Sequence, residues 1–442
     1  MTQGGYKLKA TPGTRIVFVA MALAVLLCVA VSPARGEEKP VTLDEIRAAA
    51  KEHNGDLKAL RAELGIAEAG RTRASLHPNP TLDLDGETGA LTGSPSESRF
   101  SIGLTQEVLT GGKRTNRLAV ADAEAAAALK RFQDAERLVQ LEVSTGFYRL
   151  LLAQNRLDLA RRFHTLNGQL VQVTGELFAA GDVAELDVNL AKVESARSEG
   201  RKIAAERERD AEQLHLLSLI GSPEARSIVV DPPAVTGLPG ADLAALKAKA
   251  LEARPDLRAL ETERAKADAE VQLARAERLP NVTAGVSLSR ESTVTSLGNL
   301  EEKDRDYLLG LKLSVPLPLF DRNQAGVQEA LARKSSAENR HLFARQRIER
   351  EVESAYGQLV SAEKSAAIFK KEIIPQLEAN LAVVQEAYRL GETGILAVIE
   401  EQKKYIEVNE SYLSALHDLY IATARLEAAV GTEMTKEAGG IR

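Results

Sequence analysis

The side chains of this 442-residue chain that could do chemistry are scattered along it. Its six histidines, at positions 53, 77, 164, 215, 341 and 417, are isolated from one another, whereas a metal site needs several ligands at one point. No nucleophile elbow, phosphate-binding loop or dinucleotide motif is present, and carboxylates recur at the spacing of helical salt bridges. The sequence therefore predicts no catalytic residue, no resident metal and no cofactor.

The first 36 residues differ in character from the rest. Basic residues precede an uncharged apolar stretch over 16–31, and small residues follow. This order is typical of a secretory signal peptide, residues 1–36, whereas a membrane anchor needs about 20 apolar residues. The only cysteine, Cys28, lies inside it, so we expect no disulfide in the mature chain. The remaining 53 basic and 63 acidic residues offer no basic patch for a nucleic acid.

The mature sequence repeats itself at an offset of about 200 residues. Residues 53–63 match 253–263, and Ile220-Gly221 matches Val430-Gly431. The order of the matches never changes, which indicates a duplicated unit. The predicted division is a first repeat over 37–221, a mid-height linker over 222–241, a second repeat over 242–431 and a tail over 432–442.

Long tracts without proline, rich in Ala, Leu, Glu, Arg, Lys and Gln, favour long helices. Apolar residues at alternating spacings of four and three, beginning at Leu166 and at Leu377, indicate coiled-coil seams. The predicted helices span 43–76, 113–180, 182–220, 242–277, 323–390 and 394–430. Period-two alternation predicts two pairs of strands, within about 80–109 and about 281–315.

Helix lengths predict how these elements stack. At 1.5 Å per residue the helix over 113–180 is about 100 Å long, whereas that over 182–220 reaches about 58 Å. We therefore expect 182–220 to stack end to end on 242–277, and 394–430 to stack on 43–76. An exported chain without a spanning helix is either soluble or a β-barrel. Four strands leave two open edges, whereas three chains would supply twelve strands and close a barrel.

Turn residues between helices and strands carry a further signal. Proline ends a helix, so Pro80 and Pro280 are expected at helix-to-strand turns, and Pro316 and Pro318 after the last strand. Gly111 and Gly112 give the backbone freedom to turn before the first long helix. Asp321 or Asn323 is expected to cap the second long helix.

These turns resemble those of a known family, the TolC-like outer-membrane efflux proteins. The segments QEVLTGGKR, residues 106–114, and PLPLFDRN, residues 316–323, are similar to the strand-to-helix entries of its heavy-metal cation efflux branch. Pro78-Asn79-Pro80 and Leu279-Pro280-Asn281 resemble its helix-to-strand turns. The duplicated order of helices and strands is also that family's layout.

The resemblance implies a mainly α chain with a small β part, three copies of which form a twelve-stranded β-barrel in the outer membrane and a helical tunnel across the periplasm. Its implied partners are outer-membrane lipid, a periplasmic membrane-fusion adaptor and an inner-membrane RND-type pump. The implied function is passive export, with divalent metal cations as the expected cargo. Export of drugs or other organic compounds is the alternative within this fold. A periplasmic coiled-coil adaptor or scaffold is the alternative from another class.

The turn that follows each long helix contains the candidate site residues. Phe178 with Gly181, and Tyr388 with Gly391, mark these tips; glycine there is an ordinary helix ending, and the resemblance adds adaptor contact.

The family often carries acids six and nine residues after the second tip glycine, where they form a constricting ring. Here Asp187 is the sixth residue in the first repeat, and Glu400 is the ninth in the second, with Glu401 beside it. The resemblance implies that these are gate acids, whereas ordinary solvated helix faces are the alternative.

Overall fold

A computed structural model describes residues 40–92, 94–221, 228–231, 242–297 and 300–432 of the chain. The predicted signal peptide, most of the linker and nearly all of the tail lie outside these residues. The helices are α1 (Leu43–His53), α2 (Gly55–Ser75), α3 (Lys113–Ala180), α4 (Glu185–Ile220), α5 (Leu243–Ala253), α6 (Pro255–Ala276), α7 (Gln324–Ile368), α8 (Ile374–Arg389) and α9 (Ile395–Val430). The strands are β1 (Thr81–Gly89), β2 (Ser94–Val108), β3 (Val282–Leu297) and β4 (Leu300–Ser314). The predicted class, mainly helical with a small four-stranded part, is confirmed.

The strands form one antiparallel sheet in the order β1-β2-β3-β4. Residues paired across neighbouring strands form rows across the sheet, and the side chains of successive rows point to opposite faces. One row of aligned partners is apolar and exposed: Leu84, Ile102, Leu288 and Leu309. The adjacent row is polar or small: Asp83, Gly103, Ser287 and Gly310. The sheet therefore has one apolar face and one polar face.

Glycines indicate that the polar face is the concave one. A Cβ added at Gly310 would lie 2.6 Å from the Ser287 Oγ, and one at Gly285 would lie 2.7 Å from the Thr105 Cγ2. On the apolar face, a Cβ added at Gly86 would meet nothing within 4 Å. Side chains crowd on the inner side of a curved sheet, and glycine relieves that crowding. The sheet therefore bends with its polar face inward.

The short helix α4 ends against the junction between α1 and α2. Its final glycine, Gly221, lies so close that an added Cβ would be 2.6 Å from the carbonyl oxygen of His53. The Asn54 Nδ2 donates to the carbonyl oxygen of Leu219 at 2.8 Å. Helix α2 therefore continues beyond the end of α4.

Helix α9 ends in the same way against the junction between α5 and α6. Here the Arg254 Nη1 donates to the carbonyl oxygen of Ala429 at 3.2 Å, and Gly431 packs against the Arg254 side chain. Helix α6 therefore continues beyond α9, and the predicted stacking was the wrong way round. Helix length could not distinguish the two stacking arrangements, because the helices predicted over 43–76 and 242–277 are almost equally long.

Two predicted helices are each broken at a residue that leaves the helical region. The helix predicted over 43–76 breaks at Asn54, whose ψ of 128° leaves the helical region and whose Oδ1 caps α2 by accepting the Leu57 N–H at 3.1 Å. The helix predicted over 242–277 breaks at Arg254, because the following Pro255 disfavours a helical conformation there. Both breaks turn a polar side chain toward the end of a neighbouring helix.

The two long helices differ near their tips. Helix α3 is continuous over 68 residues. In the second repeat a π-helical turn, Phe369–Ile373, separates α7 from α8. Pro375 follows that turn; it has no N–H to donate to the carbonyl four residues earlier, and its ring would clash with that carbonyl in a regular α-helix. The widened turn accommodates the proline.

The Arg254 junction is ionic and buried. Its guanidinium is bidentate to Asp256, at 2.9 and 2.7 Å, and contacts Glu351 at 2.5 Å. Burial alone would raise the pKa of Asp256, but the hydrogen bonds and charge of Arg254 outweigh it, so this pKa lies below its usual value. The stabilisation from Asp256 is therefore complete above about pH 4, the pKa of an unfolded aspartate, and is lost as the pH falls through the lower folded pKa.

We predict that Arg254→Ala lowers the free energy of unfolding by about 3 kcal/mol. The half-buried Asp256 carboxylate loses its bidentate partner and keeps the Leu257 N–H, and the carbonyl of Ala429 loses its donor. Thermal unfolding in detergent from pH 7 to pH 3 measures this loss. The variant should lose less stability than the parent on acidification. Asn54→Ala, at the matching neutral junction, is the control: it should destabilise by about 1 kcal/mol, with the parent's acid dependence unchanged. Equal acid sensitivity in Arg254→Ala and the parent would contradict the account.

Candidate functional site at the helix tips and the sheet

The two tips have the same backbone geometry. The N–H of Gly181 donates to the Phe178 carbonyl at 3.0 Å, and that of Asp182 donates to the Leu177 carbonyl at 2.9 Å. Gly391 and the next residue repeat this pair of bonds at 3.1 and 2.9 Å. The φ angles of the two glycines, 86° and 72°, are left-handed, so this helix ending requires glycine.

The two aromatic residues predicted as equivalent lie in different environments. Phe178 is 46% exposed at its tip, whereas Tyr388 is 3% exposed. The Tyr388 hydroxyl is 3.0 Å from the Oγ1 of Thr174, which is itself fully buried on α3. Phe178 is therefore available to a partner, and Tyr388 supports the tip from inside.

Tyr388 belongs to an apolar cluster that joins both repeats. The coiled-coil seams predicted on the two long helices meet there, together with the first turns of α9. Its buried members are Leu170, Ala191, Tyr388, Ile395, Val398 and Ile399. The tips of the two repeats therefore pack on each other as one unit, and a movement of one must disturb the other.

The predicted gate acids are not equivalent. Asp187 is half-buried in the first turn of α4, near enough to Tyr388 for its charge to act on that phenol. Burial raises the pKa of Tyr388 and the charge of Asp187 adds to it, while the hydrogen bond to Thr174 opposes both. Glu400 is exposed on α9, whereas the half-buried Glu401 is 3.4 Å from the Nζ of Lys404. Of the three acids, Glu400 is thus the one most open to solvent.

The strand-to-helix turn of the first repeat is fixed by contacts with the second. The Thr110 Oγ1 donates to the Pro280 carbonyl at 2.5 Å. A Cβ on Gly111, which has a φ of 64°, would lie 2.7 Å from the Leu279 side chain. Gly112 also has a left-handed φ, of 70°. The glycines therefore allow the two turns to approach closely.

Lys113 and Asn281 make contacts that the sequence did not predict. The buried Lys113 donates from its Nζ to the Asn281 Oδ1 at 2.6 Å, and the Asn281 Nδ2 donates to the Glu107 Oε1 at 2.6 Å. A lysine at the first position of a helix, with no acid in that turn, was the available signal. This chain of bonds ties the base of the sheet to the helices.

The remaining turn prolines lie where they were predicted: Pro80 directly precedes β1, and Pro316 and Pro318 follow β4. The expected cap of the second long helix is wrong. Asn323 occupies the capping position with a φ of 56°, but its side chain makes no cap hydrogen bond. Its Nδ2 donates instead to the Ala274 carbonyl at 2.9 Å, because the end of α6 lies beside it.

Within the described ranges, His, Cys, Asp and Glu side chains form no group of three or more that could hold a metal ion. Over the same ranges, no helix combines the length and apolar character needed to cross a membrane.

Comparison with known proteins decides the family. The sequence model of the outer membrane efflux protein family matches the chain twice, over residues 47–222 and 246–432. The chain belongs to this family. It is therefore a protein of the outer membrane, and the alternative of a periplasmic adaptor or scaffold does not hold.

Individual relatives agree with the family. The chain is 25% identical over 394 residues to the cobalt-zinc-cadmium resistance protein CzcC of Cupriavidus metallidurans, covering 89% of this chain and 90% of that protein. It is 24% identical over 311 residues to the solvent efflux pump outer membrane protein SrpC of Pseudomonas putida, covering 68% and 64%. The fold is similar to that of the outer-membrane channel OprN, with a TM-score of 0.71 at 20% identity over 88% of this chain and 89% of that one. The TolC-like resemblance is thus confirmed.

We predict that Tyr388→Phe destabilises the tips by about 1 kcal/mol, because it removes the partner of the buried Thr174 hydroxyl. Amide hydrogen exchange of the 174–200 and 384–402 segments measures this locally. Phe178→Leu is the control and should leave the exchange rates unchanged. In the double variant with Thr174→Val, the effect of Tyr388→Phe should disappear; full additivity of the two changes would refute the coupling.

Proposed function

We propose that the chain is the passive outer-membrane exit channel of a tripartite efflux system that exports divalent metal cations. The observation that carries this proposal is the sheet at one end of a rod of long helices. It combines an exposed apolar face, a polar face crowded at Gly285 and Gly310 and, among the described residues, two unpaired edges. In this proposal the chain moves its cargo without changing it chemically, and no catalytic residue is assigned.

The open edges support a homotrimer. Within the part of the chain that the structure describes, strands β1 and β4 each pair on one side only, and such edges invite pairing with another strand. Three copies would supply twelve strands, with the apolar faces toward lipid and the polar faces toward a central passage. The inward curvature supported by Gly285 and Gly310 has the direction that closure needs.

The helix tips are placed and exposed as contact with a periplasmic adaptor requires. They lie about 100 Å from the sheet along α3, by helix rise. Exposed apolar side chains surround the glycine turns there, and these are Phe178, Leu186, Leu390 and Leu396. We assign adaptor contact to these side chains together with the Gly181 and Gly391 turns, and through the adaptor the chain would serve an inner-membrane pump.

The cargo assignment rests on the relatives and on the tip acids. CzcC matches nine-tenths of both chains and is named for cobalt, zinc and cadmium resistance. An exposed carboxylate on each of three chains, at Glu400, would concentrate cations where the tunnel narrows. The match to SrpC, which is named for solvent efflux, favours organic cargo as the second candidate, over a smaller share of the chain.

Deleting the gene in its host tests the cargo. We expect growth of the deletion strain to be inhibited at lower cobalt, zinc or cadmium concentrations, with tolerance of toluene and hydrophobic drugs unchanged. Plasmid-borne parent protein should restore tolerance. Sensitivity to the organic compounds alone would support the second candidate and overturn the metal assignment.

Glu400→Gln should weaken block by divalent cations of the current through channels in planar bilayers by about threefold, since it removes the most exposed acid of the gate. Glu407→Gln, one heptad farther from the tip on the same helix, is the control with the same change of charge. If the Glu400→Gln trace matches the parent's, Glu400 does not belong to the gate.

A further inference from the structure

The apolar alternation of β4 continues past the end of the strand. Leu309, Leu311 and Leu313 lie on the apolar face, and Val315, Leu317 and Leu319 keep the same period of two beyond it. Phe320 follows. Leu317, Leu319 and Phe320 are 74%, 65% and 93% exposed. This run of exposed apolar side chains is continuous with the apolar face of the sheet.

Two prolines and a tight turn shape this segment. Pro316 and Pro318 remove two donors that a strand or helix would use. The turn is centred on Pro318, where the N–H of Leu319 donates to the Leu317 carbonyl at 2.9 Å. The next residues are anchored, since Asn323 donates to α6, so the segment is held where the sheet meets the helices.

The matching turn of the first repeat is built differently. There β2 ends at Val108, and Thr110 and Gly111 fold directly against the Pro280 turn. Of residues 109–112 only the half-buried Leu109 is apolar, whereas the second repeat supplies four exposed apolar side chains after β4: Val315, Leu317, Leu319 and Phe320. The exposed run is therefore not required to make the turn itself, since the first repeat turns without one.

The length of the apolar band explains what the segment adds. A strand rises about 3.3 Å per residue, or about 2.5 Å of height at a tilt of about 40°. From Tyr307 to Leu313 the apolar face of β4 is thus about 15 Å tall, whereas an outer-membrane band is about 25 Å tall. Continuing to Leu317 gives about 25 Å. Aromatic residues then lie at both ends of this apolar band, Tyr307 at one end and Phe320 at the other.

We propose that residues 317–320 bind the boundary between acyl chains and headgroups in the inner, periplasmic-facing leaflet of the outer membrane. The occupant is phospholipid, because the segment continues a face that a family member of the outer membrane must present to lipid. The proposal rests on the proposed function only in taking the apolar face of the sheet as the lipid-facing one. The Phe320 ring, at 93% exposure, would lie at headgroup depth, and the leucines just above it.

The chain contains no tryptophan, so single-tryptophan variants report depth without background. Phe320→Trp and Leu317→Trp are placed in vesicles whose phospholipids carry bromine either near the headgroup or deep in the acyl chain. We expect shallow bromine to quench Phe320→Trp about twofold more than deep bromine does. Leu311→Trp, at mid-height on the sheet, should show the opposite preference. Phe178→Trp, at the distant tip, should be quenched by neither.

The outcomes separate the two proposals. If Leu311→Trp is quenched but Phe320→Trp and Leu317→Trp are not, the lipid contact of the segment is refuted while the membrane-facing sheet stands. A blue-shifted but unquenched Phe320→Trp would mean burial against a neighbouring copy, which also overturns the lipid contact. If Leu311→Trp is unquenched as well, the lipid-facing sheet of the proposed function fails.

Discussion

The rod depends on satisfying the backbone carbonyls of two helices that end halfway along it. The last carbonyls of a helix have no partner within it, and α4 and α9 both end among packed side chains rather than in water. Asn54 and Arg254 solve this by reaching across from the breaks in the adjacent helices, to Leu219 and Ala429. The breaks therefore let two short helices lie end to end, α4 with α2 and α9 with α6. The long helices connect the sheet to the tips.

The two repeats solve the same problem with different chemistry. The Asn54 junction uses a neutral amide that also caps the next helix, whereas the Arg254 junction uses a buried guanidinium with two carboxylates. A charged group is costly to bury unless its partners are complete, so the second junction tolerates less displacement than the first. Near the tip the second repeat is instead the less regular one. Its long helix carries the π-helical turn before Pro375, whereas α3 is continuous. Rigidity at mid-height and a local irregularity near the tip thus occur in the same repeat.

Much of this architecture could be predicted, because periodicity and proline are local signals. The strands, the long helices and the glycine tips follow from alternation, helix formers and φ preferences that each residue carries by itself. What could not be predicted depends on neighbours in space. The stacking of α4 and α9 was reversed because lengths alone do not distinguish two similar helices. Tyr388 was equated with Phe178 because the repeat aligns them, yet only Tyr388 faces the Thr174 hydroxyl. Asn323 sits at a cap position, but the end of α6 takes its side chain.

Divergence between the repeats follows a physical rule. Where both copies face the same surroundings they stay alike, as in the glycine tips and in the apolar core positions Val143 and Val352, both fully buried. Where their surroundings differ, they separate: the turn after β2 packs on the other repeat, whereas the turn after β4 presents Leu317 and Phe320 outward. An exact duplicate would bury or expose both turns equally. At the base of the sheet one copy faces the interior of the chain and the other faces its exterior. Duplication therefore explains the shared order of helices and strands, and the surroundings of each copy determine which side chains it keeps.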